Sequence, residues 1–336
     1  MMRHLARFPN GAKRAAALTI AALLVCAPAS STAQGQAPPY PSQGIRLIVP
    51  YAAGGVPDTV ARFVGQRLQE RIGQSIVVEN RPGGNGSVAT AAIAAAPADG
   101  YTLLVTDSAM LSVNPLFFKQ LAFSPQKDFI PVALLARAPL FLAVHSDVPV
   151  ATLREFIDHV KARPGEINYG SSGIGSTHHL TMEAMKAALR LNMTHIPYRG
   201  TGQSVPALLG GHVQALFSAY PSLKGAVESN RVKLLATNGA ERSPLAPDLP
   251  PLADVIPGFD LITLIGLYAR AGTPPAVVQK IAAEAVAIVK QPDVAPQFAV
   301  LGMEPAGAGP GAFGRAVADE IERVTKVVES AGIKAE

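Results

Sequence analysis

Ile45-Arg46-Leu47-Ile48-Val49-Pro50-Tyr51-Ala52-Ala53-Gly54-Gly55-Val56-Pro57-Asp58-Thr59-Val60-Ala61-Arg62-Phe63 is the stretch on which the reading of this chain turns. Its first five residues are mostly branched and apolar, the composition of a buried strand. The run breaks at Pro50 and passes through small residues including Gly54 and Gly55. It resumes as a helix with Pro57 in the first turn, where a missing N–H costs little. A strand, a glycine loop and a helix N-terminus leave several backbone N–H groups unpaired and facing outward, which suits an anion. The pattern then repeats. Residues 76–79 form a second short strand, 80–87 a glycine-rich loop, 87–96 a helix, and 101–105 a third strand after the Asp99-Gly100 turn. This β-α-β-α-β order predicts a parallel sheet with helices on its faces.

Upstream, Arg3, Arg7, Lys13 and Arg14 precede a continuous small apolar run at 15–25 and a polar, small-residue stretch from Ser30. This is the pattern of an export signal, expected over 1–33 with cleavage after Ala33 or a few residues later. The apolar run is too short to span a bilayer comfortably. Cys26 follows Val25 where a lipidation site would have a small residue, so no lipid anchor is expected. Loss of those four basic residues takes the formal charge from +5 to +1, and no nucleic-acid surface is expected. The only cysteine leaves as well, so the exported chain has neither a disulfide nor a thiol nucleophile. With 49% hydrophobic and 16% charged residues the remainder is globular rather than disordered, and long enough for a sizeable core.

Downstream, 106–115 reads as a polar loop, 117–123 as a short irregular apolar segment, and 131–136 and 140–144 as strands. A helix is expected over 151–162, with Thr152 as its cap and Glu155 completing a capping box. Strand, glycine loop and helix then recur: 167–170, 171–177 and 178–190, with a strand at 192–197. Another loop at 198–202 leads into a short helix at 205–209. A strand at 213–217, a helix at 221–228 and a strand at 232–236 follow. The proline-rich 243–257 reads as a crossover and 261–268 as a strand. Helices are expected at 274–290, 293–300 and 311–331. The last carries Phe313, Val317, Ile321, Val324, Val327 and Val328 on one stripe that needs a partner surface, and packing on the first domain is expected.

Four loops share the strand–loop–helix design: 52–58, 81–87, 171–178 and 198–204. Their chemistry is donors without charge, able to hold a carboxylate, phosphate or sulfate and still release it. In the third, Ser176 or Thr177 is a natural N-cap, and Gly173 and Gly175 allow close approach of the backbone. His178 and His179 are adjacent, so their side chains diverge and do not make a metal pair. His179 reads as core or helix-end packing, and His178 has the better claim on a cleft. Asp58 has Arg62 four residues on, and two readings stand: an ordinary i,i+4 pair with helix-end charge, or a partner for a donor on the ligand. Ser172, His178 and Asp107 could be assembled into a triad on paper, but no Gly-x-Ser-x-Gly elbow is present. The dinucleotide and phosphate-loop glycine patterns are also missing. No enzyme activity and no cofactor are expected.

At these residues the chain resembles the solute receptors of tripartite tricarboxylate transporters, the Bordetella uptake-gene receptors. The resemblance is carried by Tyr40-Pro41-Ser42, Tyr51-Ala52-Ala53-Gly54-Gly55 with Asp58, Val77-Val78-Glu79-Asn80-Arg81-Pro82-Gly83 and Asp99-Gly100-Tyr101-Thr102-Leu103-Leu104. It continues through Asn114-Pro115, Pro164-Gly165, Tyr169-Gly170-Ser171-Ser172-Gly173 and His178-His179-Leu180. His195-Ile196-Pro197-Tyr198-Arg199-Gly200, Gly272-Thr273-Pro274 and Leu301-Gly302 complete it. It implies a two-lobed α/β fold of the type II periplasmic binding-protein (Venus flytrap) kind, each lobe a mainly parallel sheet flanked by helices. Lobe one would hold 38–141 and 259–336, and lobe two 142–258 with the crossover. It further implies a periplasmic, monomeric receptor for a small organic acid that serves the small and large integral membrane subunits of a transporter. A receptor of the same fold reporting to a membrane sensor kinase is the alternative, and a periplasmic hydrolase a weaker one. Carried over by position, the ligand contacts would be Ala53, Gly54, Asp58, Thr106, Asp107 and Ser108 in the first lobe. In the second they would be Ser171, Ser172, Thr177, His178, Tyr198, Thr201 and Ser218.

Three departures from that family bear on the ligand. Val56 and Pro57 stand where the family often has Gly and Thr or Ser, which removes a hydroxyl and a donor. Ser218 stands where an aspartate is usual, which removes a partner for an α-amine or hydroxyl. Asp107 stands where a small residue such as Ser is common. An amino-acid ligand is thereby disfavoured, and the expectation is a mono- or dicarboxylate, with an aromatic or apolar body compatible.

Overall fold

A computed structural model of the protein describes residues 40–118, 121 and 123–333. The export signal expected over 1–33 lies outside them. In chain order the first elements are β1 (Ile45–Val49), α1 (Val56–Ile72), β2 (Ile76–Asn80), α2 (Ser87–Ala95) and β3 (Thr102–Asp107). Three short helical turns follow, α3 (Ala109–Ser112), α4 (Asn114–Phe117) and α5 (Pro125–Asp128), and then β4 (Phe129–Ala138). The middle of the chain holds β5 (Phe141–His145), α6 (Leu153–Ala162), β6 (Asn168–Ser171), α7 (Thr177–Leu189), β7 (Thr194–Pro197), α8 (Thr201–Leu209), β8 (Ala215–Ser218), α9 (Tyr220–Glu228) and β9 (Val232–Thr237). The chain closes with β10 (Thr263–Arg270), α10 (Pro275–Val289), α11 (Val294–Val300), β11 (Glu304–Ala308) and α12 (Pro310–Ala331).

Two sheets result, ordered β11-β4-β10-β3-β1-β2 and β7-β6-β8-β5-β9. In the first, β1 pairs in parallel with β2 and β3, while β10 runs antiparallel between β3 and β4 and β11 lies antiparallel on β4. In the second, β6 is parallel to β7 and β8, and only β5 runs against its neighbours β8 and β9. Most strands of each sheet therefore point one way, with the reversed strands at or beside the chain crossings.

Each sheet is apolar on both faces, as sheets covered by helices are. Along β1, Ile45, Leu47 and Val49 enter the core shared with Val60, Leu68, Ile281 and Phe298, while Ile48 faces Ile93, Tyr268 and Phe313. This strict alternation pins the register, since a one-residue slip would exchange the faces. On the second sheet Leu142 and Val144 face Phe156, Tyr169 and Met182, and Phe141 and Ala143 face Leu208 and Leu223.

The two sheets are joined by two crossings, between β4 and β5 and between β9 and β10. Asn238, fully buried, ties them together. Its Oδ1 accepts from Leu140 N at 2.8 Å and its Nδ2 donates to Leu261 O at 2.7 Å. Its own N–H reaches Leu140 O at 3.0 Å, and its carbonyl accepts from Leu261 N at 2.9 Å. Arg137 at the end of β4 faces Asp260 at 3.4 Å, and Ser243 Oγ donates to Glu304 Oε1 at 2.5 Å beside them.

The differences from the sequence expectations have local causes. β11, within Glu304-Pro305-Ala306-Gly307-Ala308, has the composition of a loop; it is an edge strand with a register shift, where Pro and Gly are tolerated. α8 starts at Thr201 rather than 205, its first turn being built of weak helix formers. Thr152 Oγ1 does accept from Glu155 N, but the Glu155 carboxylate reaches back to Ala151 N at 2.6 Å rather than to the cap residue. α12 packs Phe313 and Val317 on the first sheet, as expected. It also runs on, placing Val324 against Leu180 of α7 and Val113, so it touches both lobes. At about 1.5 Å per residue the helix outlasts the sheet it started on.

Glu320, on the same helix, is buried, with Oε1 accepting from Ser112 Oγ at 3.0 Å and Oε2 unpartnered among the described residues. Burial pushes its carboxyl up to about 7.

Two outcomes are expected. Asn238→Ala leaves Leu140 N–H and Leu261 C=O unpaired in the interior and should cost about 2–4 kcal/mol in urea unfolding; an unchanged midpoint would refute the staple. Because the folded state favours protonated Glu320, stability is fully present below the ordinary glutamate pKa and is lost as pH rises through about 7. Glu320→Gln should therefore raise the melting temperature at pH 8 and barely change it at pH 5.

Candidate ligand-binding site

The C-terminal ends of β1, β2 and β3 carry the first half of the site, the usual place for ligands on such sheets. The loop after β1 turns at Gly54, whose φ is +86°. Gly54 and Asp58 are brought together, but with each other: Gly54 N donates to Asp58 Oδ2 at 2.8 Å. Asn80 Nδ2 donates to Asp58 Oδ1 at 2.8 Å, and Arg62 Nε to Oδ2 at 3.0 Å. Burial pushes the Asp58 carboxyl up, and Arg62, Gly54 N–H and Asn80 outweigh it, so it lies below the usual carboxylate range. Arg62, Gly54 N–H and Asn80 together make Asp58 a latch that shapes the loop. Ala53 stays on the exposed rim.

At the end of β3, Thr106 and Ser108 are fully buried. Thr106 Oγ1 points at Met110 Sδ, and Ser108 Oγ accepts from Leu264 N at 3.0 Å, joining β3 to β10. Asp107 between them is partly exposed and accepts from Tyr51 Oη at 2.9 Å and Met110 N at 3.2 Å. Burial pushes its carboxyl up, against the pull of those donors.

The loop after β2 is the part that the carried-over residue set missed. Gly83, Gly84, Asn85 and Gly86 all have positive φ, a backbone only glycine and asparagine enter readily. A Cβ on Gly86 would lie 2.7 Å from Met110 Sδ. This loop, Tyr51 and Asn114 wall a cavity of about 400 Å³. Asn114 Nδ2 donates to the Asn85 carbonyl at 3.0 Å and holds the wall in place. The Gly-Gly-Asn-Gly run was the visible signal for it.

The second half sits at the end of β6. Ser171 Oγ lies 2.7 Å from His195 Nε2 and accepts from Gly173 N at 3.1 Å. Ser172 Oγ lies 2.8 Å from His178 Nδ1. Ser176 is the N-cap of α7, accepting from His179 N, which leaves the Thr177 hydroxyl without a partner among the described residues. His179 Nδ1 accepts from Gly175 N at 3.1 Å and stacks on His195 with ring centroids 4.0 Å apart. Tyr169 also stacks on His195, with ring centroids 4.8 Å apart. The histidine pair is thus a scaffold under the loop. Tyr198 and Gly200 donate their N–H groups to the carbonyls of Ser171 and Ser172, and Thr201 opens α8 alongside. Ser218 is fully buried, its Oγ unpartnered among the described residues; Thr237, across Phe141, is in the same state.

A second cavity of about 350 Å³ lies between Asn85, Asn114 and Phe117 on one side and Ile174, Gly175 and Ser176 on the other. Among the described residues no charged side chain lines either cavity. Arg62 is paired with Asp58 and Arg81 with Glu79, each at 3.0 Å. What remains is backbone N–H groups, hydroxyls and amides. Among the described residues no group of three or more His, Cys, Asp or Glu is placed to hold a metal, and no helix is long and apolar enough to cross a membrane.

The model of the tripartite tricarboxylate transporter family receptor (TctC) matches residues 60–333. This chain belongs to that receptor family. The receptor is a solute-binding protein, not an enzyme. Protein BugT of Bordetella pertussis is 33% identical over 297 residues, covering 88% of this chain and 91% of its own length. A solved structure of R. palustris Rpa4515 with adipate is 32% identical with a TM-score of 0.72, covering 88% of the receptor and all of that chain. MatC (Rpa3494) from Rhodopseudomonas palustris, with bound malate, is 32% identical with a TM-score of 0.66, covering 86% of the receptor and all of that chain. These show the two-lobed fold.

The scaffold makes stability pH-dependent. Burial holds His195 down at about 4, reinforced by His179 beside it, and burial holds His178 down at about 4 as well. Groups depressed in the folded state contribute stability above the ordinary histidine pKa and lose it as pH falls through the folded value. The unfolding free energy should therefore decline between pH 6.5 and about 4, and His195→Asn should flatten that decline in denaturant titrations at stepped pH.

Proposed function

We propose that this receptor works outside the cytoplasmic membrane, holds a small organic acid between its two lobes, and delivers it to the small and large integral membrane subunits of a tripartite transporter. The observation that carries the reading is the facing pair of donor loops, 83–86 and 171–176, around cavities with no charged side chain among their described lining residues. A carboxylate held by oriented N–H dipoles and hydroxyls is bound well in a dry cleft and released when water returns, which a fixed cation would hinder. The adipate and malate of the two structural neighbours are consistent with such a ligand.

In this reading 38–141 with 259–336 forms one lobe and 142–258 the other. Ala53, Asp107, Ser171, Ser172, Thr177, His178, Tyr198, Thr201 and Ser218 stay on the list of contacts, and Asn85 and Asn114 join it. Gly54, Asp58, Thr106 and Ser108 act behind them, by shaping the loops. Export to the periplasm follows from the expected signal at 1–33.

Calorimetric titration at pH 7 with adipate and with malate should give saturable binding, and their neutral dimethyl esters none; equal binding of the esters would sink the reading. Gly86→Val brings a Cβ to 2.7 Å from Met110 Sδ at a φ of +96°. It should weaken acid binding at least about tenfold while unfolding remains cooperative.

A further inference from the structure

The 350 Å³ cavity between the lobes carries large apolar side chains beside its polar ones. Val113, Phe117 and Phe118 line it from the first lobe and Ile174 from the loop after β6. Phe118 and Ile174 are 42% and 43% exposed, among the few large apolar side chains that are so open. Single exposed apolar residues are ordinary, but two from segments far apart in sequence, converging on one cavity, mark a binding surface.

The cavity is continuous with the donor loops. Asn85 and Asn114 line it and the 400 Å³ cavity alike. Its far rim is Gly175 and Ser176, at the start of α7. Gly175 has a φ of +75°, and a Cβ there would meet the Phe117 ring at 3.4 Å, so the aromatic ring lies directly against the loop that carries the second set of donors. A ligand whose carboxylate sits among the donors has its body beside these apolar side chains.

We infer that the receptor's ligand is a carboxylic acid with an apolar body, an aryl or branched alkyl acid, whose apolar part packs between Phe117, Phe118 and Ile174. The inference rests on the carboxylate-receptor reading above and narrows it. A hydroxyl or amine placed against the Phe117, Phe118 and Ile174 surfaces would find no partner in those side chains, which is costly in a closed cleft. An apolar body instead removes the exposed faces of Phe118 and Ile174 from water, the favourable direction. The combined cavities lie in the size range of small-ligand sites, from about 300 Å³ upward.

The test is calorimetric titration of the purified receptor with 3-phenylpropionate and with malate, followed by the same titrations on Ile174→Ser and Phe118→Ala. Both positions are exposed, and the melting temperature of each variant is checked first. The expected result is 3-phenylpropionate binding at least tenfold tighter than malate in the wild type. Each variant should lose about tenfold for the aryl acid and change less than twofold for malate. Malate binding more tightly than the aryl acid, or variants weakening both ligands equally, would overturn the inference and leave the carboxylate-receptor reading standing. Failure of both acids to bind, together with adipate, would overturn both. The wild-type ranking decides the matter even if a variant does not fold.

Discussion

One buried amide, that of Asn238, holds together the two chain crossings that join the lobes. Its side chain satisfies a donor on one crossing and an acceptor on the other, and its backbone does the same in parallel. A polar side chain this deep is tolerated only when its hydrogen bonds are made, and here the shape of the crossing depends on their being made. Two antiparallel strands, β10 and β5, are thereby presented to their sheets in register. The donor loops at the sheet ends face one another only because these strands are where they are.

The same economy governs the charges. Asp58, Glu79, Arg62 and Arg81 all lie within the loop region, and all are spent on one another or on backbone groups. Their effect is on shape: they hold glycine-rich backbone in conformations that leave other N–H groups free. On the other lobe the neutral stack of Tyr169, His195 and His179 does this without any formal charge in the layer, because burial keeps the imidazoles unprotonated. Oriented dipoles act best when held rigidly, and these internal networks supply the rigidity.

Much of this was legible in the residues. The strand at 45–49, its glycine loop and its helix stand where the pattern placed them, and so do the later strand–loop–helix units, because branched apolar runs, glycines and first-turn prolines act locally. β11 was not legible, since an edge strand of Glu-Pro-Ala-Gly-Ala draws its pairing from β4 and from nothing in its own composition. The site was legible as loops rather than as atoms. Asp58 has the same sequence neighbourhood whether it faces a ligand or a glycine N–H, and Thr106 and Ser108 look as available as Ser171 until β10 and Met110 are beside them.

By itself the sequence determined the alternation of strands and helices, the supply of uncharged donors at the strand ends, and membership in a receptor family. Tertiary structure alone decided which donors remain free, and that Phe118 and Ile174, far apart in sequence, line one cavity. The physical reason is sequence distance. Asn80 reaches Asp58 across 22 residues, His195 reaches Ser171 across 24, and Asn238 reaches Leu140 across 98. Local propensity specifies what each group can offer, while a partner brought from far along the chain determines whether the offer is already taken.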